Sequence, residues 1–469
     1  MASTAIPNRP RARAVPLQAR RAVRRENALA VILPAVLLFY AALMPSEIRI
    51  SISEQTLYPT RIVAMMLLPA IFLRVLRKSV RFRIWDYLFF FSGFWMVLAF
   101  MVYYGPGIGL LRGGALAFDL LMPYIIGRLS IRDLNDFRRF LVIIAPGAFL
   151  AGASMFAEVL AARPLVRPAM ASIFGALPAY ENGVATGTGS IFIDHRLGIL
   201  RAAGPFSHPI LAGLAMASLL PLYWTSGLIK WPKKVGLSAS IFAVFSASSA
   251  AFLSLILGAG FLFLDFIQRT VAFIKWRIII PVLVGLATVI HFASENGLIN
   301  VLIRYSMNSY TAQYRRLIWE YGMISVQKHP WFGIGFTGYE RLEWMISSVD
   351  AHWLLLGIRF GFVPFVLNIL LFLMAVVALS LASKRFAEMD RRMMVGIAIA
   401  IFTLLVAGFT VTFFGGVLAW IYMLLGIGFS IAYSGRLQKP SNPKMRYPRP
   451  MHGQARRSNL QRPIAGPSA

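Results

Sequence analysis

Three stretches of this chain hold side chains able to do chemistry. The first is His195-Arg196-Leu197-Gly198-Ile199-Leu200-Arg201, running on to Gly204-Pro205-Phe206-Ser207-His208-Pro209. The second is Tyr314-Arg315-Arg316-Leu317-Ile318-Trp319, followed by His329-Pro330-Trp331-Phe332-Gly333-Ile334-Gly335. The third is Asp350-Ala351-His352, with Arg359 and Gly361 close behind. Guanidinium groups bind phosphates through paired, charge-assisted hydrogen bonds. A histidine, with an unperturbed pKa of about 6.5, accepts or orients a proton at neutral pH. Arg201 precedes Gly204-Pro205, where a helix is expected to begin, so free backbone N–H groups add to its positive field. Such a corner suits a phosphate.

Each stretch also has a plainer reading. Arg196 fits an interfacial arginine reaching for lipid headgroups. Arg315 and Arg316 fit a solvated helix face over 314–326, and Gly333-Ile334-Gly335 fits a tight turn. No strand precedes those glycines and no Lys-Ser/Thr follows, so the likeness to a phosphate loop is thin. His352 fits an interfacial histidine bonded to lipid or to a helix end.

The elements that carry these residues are set by hydropathy. The chain has 469 residues, 58% hydrophobic and 14% charged, with a mean hydropathy of +0.68. Soluble domains of this length need more surface charge. Apolar runs of the length that crosses a bilayer as helix recur from end to end, continuous rather than alternating. The fold class is therefore an all-α integral membrane protein. Twelve spans are expected, at 28–44, 59–75, 85–104, 108–126, 140–160, 204–228, 235–248, 250–266, 278–292, 351–381, 394–412 and 416–433. The interval 235–266 is long for one span and short for two, so a turn at Ser246-Ala247-Ser248-Ser249 is assumed.

Charge gives an independent check. The net charge of +29 points to nucleic acid in a soluble chain, but here lysine and arginine collect on the cytoplasmic side of spans. With the N-terminus inside, 34 of the 47 lysines and arginines fall before the first span, in every expected cytoplasmic connection and in the tail. Both termini are then cytoplasmic, and two long connections, 161–203 and 293–350, lie outside together. Residues 1–27 form a basic tail, 28–433 the membrane domain, and 434–469 a basic, disordered tail. Seven arginines precede the first apolar run as in a signal peptide, but no A-x-A site follows Met44, so an uncleaved helix is expected. With no cysteine, disulfides, Cys-ligated zinc and thiol catalysis are excluded. Within the spans, Arg112 and Asp119 share one helix face; they form either a bridge or part of a polar cavity.

The ordered set Arg201-x-x-Gly204-Pro205-Phe206-x-His208-Pro209, Arg315-x-x-x-Trp319, His329-Pro330-x-x-Gly333-x-Gly335 and Asp350-x-His352 resembles the bacterial O-antigen ligase and O-antigen polymerase superfamily. The resemblance covers roughly residues 28–433 and implies a GT-C type fold. It implies metal-free glycosyl transfer, without a cofactor, from a polyprenyl-diphosphate-linked oligosaccharide outside the bacterial inner membrane. Arg201 and Arg315 then correspond to the family's external arginines, and His352 to its histidine at the head of the next span. This chain departs from many ligases, which have Asn after that histidine and Gly eleven residues on. Here stand Trp353 and Gly361, nine residues on, a pattern closer to exopolysaccharide-type polymerases.

The expected catalytic set is His352, Arg315, Arg201 and Asp350, with Arg196, His208, Arg316 and Arg359 binding substrate. The arginines neutralise a diphosphate leaving group, and His352 or Asp350 takes the acceptor proton. Membrane lipids, a chain-length regulator and a flippase are the expected partners, and nucleic acid is not. Three rivals remain: an O-antigen ligase with the same chemistry, a transporter or lipid-linked sugar flippase lined by Arg112 and Asp119, and a non-enzymatic component of an export complex.

Overall fold

The computed structural model describes residues 17–52, 55–76, 81–177, 180–181, 184–185, 193–196, 198–271, 285, 288–289 and 309–437. The helices are α1 Leu17–Ala42, α2 Pro59–Leu76, α3 Ile84–Tyr104, α4 Pro106–Ser130, α5 Leu134–Ala161, α6 Val166–Phe174, α7 Pro209–Thr225, α8 Lys230–Ile241 and α9 Ser249–Thr270. After the interval 290–308 come α10 Ser309–Lys328, α11 His352–Phe360, α12 Phe362–Ser383, α13 Glu388–Ala407 and α14 Gly415–Leu437. The strands among the described residues are two or three residues long, in hairpins such as His195–Arg196 with Ile199–Leu200.

Seven of these helices (α2, α3, α4, α5, α9, α12 and the 415–434 part of α14) are long and apolar enough to cross a membrane; the apolar part of α1 and α7 are shorter. Outward faces carry Met66, Phe72, Leu150 and Phe263, as lipid-facing surfaces do. The interior is organised round α14, most of which is buried. Small residues let backbones touch there: a side chain on Gly127 or Gly426 would run into the Met423 or Tyr124 carbonyl of the facing helix.

Contacts sort the connections into two ends. At one end Ser46 meets Ser207, Glu47 meets Arg167, Tyr104 meets Phe336 and Thr412 meets Val349. At the other Arg138 reaches Ser226 and Asp390, and Arg269 reaches Glu388. The described parts of the two connections expected outside, 161–203 and 293–350, thus share one end, and the basic residues Arg138 and Arg269 lie at the other. The assumed turn at the serines is a break: a 3-10 turn over Phe242–Ser246, Ala247 at φ +44°, then α9. Ala247 is at the first end and Arg269 at the second, so 230–246 and 249–270 run between the ends as separate segments.

Two differences from expectation stand out. The span 351–381 breaks at Gly361, which has φ +84° and lies so close to the Pro330 and Trp331 carbonyls that no side chain fits. Phe362 N donates to Pro330 O (2.6 Å), fixing the break. The first helix starts at Leu17, before the apolar run. Most of the ninth expected span, 278–292, and most of the expected tail, 434–469, lie outside the described residues.

Candidate active site

The first external connection is tied down by one carboxylate. Glu158, 1% exposed at the end of α5, accepts from Leu165 N (3.0 Å) and Val166 N (3.3 Å) through Oε1, and from Ala203 N (3.1 Å) and Gly204 N (2.8 Å) through Oε2. A buried charge is tolerable when hydrogen bonds replace its water. Here four of them clamp both ends of the loop together. Beside it the buried pair Arg167–Glu47 (2.7 Å) holds the loop to the α1–α2 connection, and Arg167 also donates to Ser207 O (3.2 Å).

On this base sits the 195–200 hairpin with Arg196 and Arg201. Arg201 is buried, pairs with Asp194 (2.6 Å), and keeps its Nε without a partner among the described residues. Arg196 donates to Ala247 O and Ser249 Oγ, both 3.3 Å. His208 caps α7, accepting from Ile210 N through Nδ1 (3.1 Å). That lone pair is used for folding.

The second external connection brings Arg315 to the same place. Residues 309–351 wrap round a small core of Ile318, Val326, Ile334, Tyr339, Met345 and Val349, seated on Leu354 and Ile358 of α11. Arg315 is half-buried and its Nε has no partner among the described residues; Arg316, next along α10, is exposed. Burial pulls the Arg315 pKa down, as do Arg196 and Arg201, and Asp350 opposes them. Burial raises the Asp350 carboxyl above its usual range, against the pull of Arg315. Burial and Arg201 lower Arg196, with Asp194 opposing. Arg315 therefore lies within the fields of Arg196, Arg201 and Asp350, and Arg196 within those of Arg201 and Asp194.

His352 belongs to a neighbouring cavity of about 310 Å³. Arg61 of α2, Arg112 and Asp119 of α4, and His352 and Arg359 of α11 line it, with Ser46, Ser207 and Thr412 at its edge and apolar walls between. Arg196, Arg201 and Arg315 stand outside its described lining. Asp119 takes a two-pronged salt bridge from Arg61, a partner the sequence reading did not single out. Arg112 lies over the Tyr104 ring (5.9 Å), and Arg359 over that of Phe336 (5.0 Å).

The hydrogen bonds round His352 fix its tautomer. Asn368 Nδ2 donates to Pro364 O (2.8 Å), an acceptor only, so the amide cannot be flipped; it also donates to Ser92 Oγ (3.0 Å). Asn368 Oδ1 therefore faces Tyr422 and takes its hydroxyl proton (2.9 Å). The Tyr422 oxygen is left to accept, and His352 Nε2 lies 3.3 Å from it. Nε2 carries the proton, so in the neutral ring Nδ1 is a bare lone pair. That Nδ1 is the buried ring atom without a partner among the described residues.

The glycine motif seats this helix. Gly333 (φ +64°) and Gly335 (φ +63°) let the turn lie against the end of α11, with Ile334 N donating to Ile358 O (2.8 Å) and Gly335 N to Arg359 O (3.2 Å). It is a docking turn. Trp319 is bonded to Phe409 O (2.8 Å) and Phe332 stacks on Trp95, so these two are packed into protein, whereas Trp331 and Trp344 are exposed. Trp353, in place of the ligases' Asn, is fully buried and donates to Leu405 O (2.9 Å).

The expected residues thus separate into two adjacent groups. Arg196, Arg201, Arg315 and Asp350 form one; His352 and Arg359 form the other, joined by Arg61, Arg112 and Asp119. Glu158, Arg61, Tyr422 and Asn368 escaped the sequence reading, although a polar residue within an apolar span, as Asn368 is, was a usable signal.

Residues 235–369 match the family model described as O-antigen ligase. The match runs from α8 into α12 and contains Arg315, Arg316, Asp350, His352 and Arg359; Arg196, Arg201 and His208 precede it. No curated protein matches the chain. With the helical membrane architecture, the match supports this protein's place in the O-antigen ligase/polymerase superfamily.

Proposed function

We propose that the protein is a polysaccharide polymerase of the exopolysaccharide or O-antigen type. It joins lipid-linked saccharides on the outer face of the bacterial inner membrane, in a GT-C type frame of twelve crossings with both termini cytoplasmic. Arg201 and Arg315 hold the donor's diphosphate, with Arg196 and Arg316 in support. The bond between the sugar's C1 and the diphosphate oxygen breaks, and its electrons go to a leaving group neutralised by guanidinium rather than by metal. The acceptor hydroxyl attacks C1 and passes its proton to His352 Nδ1, with Asp350 next along the chain. A chain-length regulator and a flippase are the partners such a step needs.

The observation that carries this reading is the convergence of Arg196, Arg201 and Arg315 from two separate connections, beside a histidine that lines a cavity and keeps its buried Nδ1 without a partner among the described residues. Analysis of lipid-linked saccharide in a deletion strain tests it. Single repeat units accumulate if the protein is the polymerase. Full-length lipid-linked polymer would mean a ligase instead, and accumulation confined to the cytoplasmic leaflet a flippase.

A further inference from the structure

The 195–200 hairpin is closed by a carboxylate that the transfer step leaves unused. Strand side chains alternate with a period of two, and cross-strand partners point the same way. His195 lies opposite Leu200 and Arg196 opposite Ile199. The next pair outward is Asp194 with Arg201, joined by Arg201 N donating to Asp194 O (2.9 Å). Asp194, Arg196 and Arg201 therefore stand on one face of the hairpin. Across that face Arg201 Nη1 donates to the Asp194 carboxylate (2.6 Å).

The two partners are not equally free. The Arg201 side chain is 8% exposed and that of Asp194 35%. The backbone after Arg201 is pinned, with Ala202 N donating to Phe245 O (3.0 Å) and Ala203 N and Gly204 N to Glu158. The guanidinium is thus the fixed member, and the carboxylate is the one with solvent to move into. Carboxylate and phosphate oxygens accept from the same guanidinium N–H groups, so the two anions compete for Arg201. Arg196 lies in the fields of both Arg201 and Asp194, so the carboxylate also offsets repulsion between neighbouring cations before the donor binds.

We propose that Asp194 is a positioning residue that competes with the diphosphate for Arg201, holding the guanidinium in place before the donor arrives and driving the spent diphosphate off it after transfer. The inference rests on the reading of Arg201 as a diphosphate ligand. When the C1–O bond breaks, its electron pair stays on the departing diphosphate, which gains one negative charge. That product binds the arginines more tightly than the donor did. A carboxylate returning to Arg201 speeds its release.

Inorganic diphosphate, radiolabelled and without divalent cations, is the probe. Its binding to the full-length protein in phosphatidylcholine nanodiscs is measured by equilibrium dialysis. Asp194→Asn should bind it roughly tenfold more tightly than wild type, the worth of one charge-assisted hydrogen bond set free. A misfolded variant would bind it less, so the sign of the change separates competition from a merely structural role. Asp194→Ser should show the same gain, and Asp194→Glu, which keeps a carboxylate, should stay near wild type. Arg201→Gln should weaken binding and cancel the gain when combined with Asp194→Asn. In steady-state transfer Asp194→Asn should lower the donor KM and lower kcat with it, as slow product release does. Unchanged or weaker diphosphate binding in both Asp194→Asn and Asp194→Ser, with Arg201→Gln still weakening it, would overturn the competition and leave the arginine's role standing. Wild-type binding in Arg201→Gln would instead overturn the reading of Arg201, and the role of Asp194 with it.

Discussion

Tyr422→Phe removes one oxygen from the chain that ends at His352, and leaves the Nε2–H of a buried imidazole with nothing to accept it. The ring carbon frame is unchanged, and Tyr422 packs against Phe89, Phe372 and His352 through that frame, so the fold should hold. An unsatisfied buried donor costs about 1–3 kcal/mol. At about 1.4 kcal/mol per factor of ten, the bond to Tyr422 is what favours the Nε2–H tautomer, by roughly 5- to 150-fold. Nδ1 is buried without a partner as well, so the substitution removes that preference without reversing it; the ring divides between the two forms, and with Nδ1 bare in only one of them kcat should fall about twofold. The donor KM should not move, because Tyr422 touches none of Arg196, Arg201 or Arg315. Asn368→Leu breaks the same chain one link earlier, and the double variant should lose little more than either alone, as residues acting through one path do. The assay is a single-turnover transfer with purified protein and lipid-linked saccharide, run at saturating and at limiting donor. An unchanged kcat, or a loss that appears only in KM, would refute the tautomer reasoning.

Other outcomes follow from the same contacts. Glu158→Gln leaves one carbonyl oxygen for four backbone donors and turns an NH₂ toward two of them; with charged hydrogen bonds worth about 1.5–3 kcal/mol each, a loss of roughly 3–6 kcal/mol is expected for those two. Thermal unfolding of the purified protein measures it, and an unchanged midpoint would contradict the clamp. Gly361→Ala puts a side chain at φ +84° into the Trp331 carbonyl and should abolish accumulation of folded protein. Gly107→Ala, which meets open space, should be neutral on the same immunoblot. Because burial raises the Asp350 pKa, its folded value exceeds its unfolded value. The stability tied to its protonated form is present below the usual carboxylate value of 3.8 and is lost as pH rises through the folded value. Asp350→Asn should flatten that part of the unfolding-versus-pH curve; a variant curve parallel to wild type between pH 4 and pH 7, taken as about the window of a raised carboxylate, would count against it.

What the sequence made legible was set by local signals. Runs of apolar residues have only one way to satisfy their backbone in lipid, so helices such as α3 and α9 could be placed within a few residues. The basic connections placed 161–203 and 293–350 on one side, and the fields of Arg196 and Arg201 acting on Arg315 agree. What was not legible depends on which helices touch. Nothing in the order of residues says that Asp119 meets Arg61, fifty-eight positions away, rather than belonging with Arg112 alone. Likewise His352 was joined with Arg201 and Arg315 because they lie on one side, yet the arginines that share its cavity are Arg61, Arg112 and Arg359. The break at Gly361 was hidden for a related reason: an apolar run reads as one span unless the turn that presses on it is known.

The most direct test of the central claim uses purified wild-type protein in nanodiscs with the lipid-linked repeat unit, resolving products by chain length. A ladder of lipid-linked polymer is expected from the wild type. Arg201→Ala, Arg315→Ala and His352→Ala, at equal amounts of folded protein, should each leave single units unjoined. Normal polymer from all three would contradict the account.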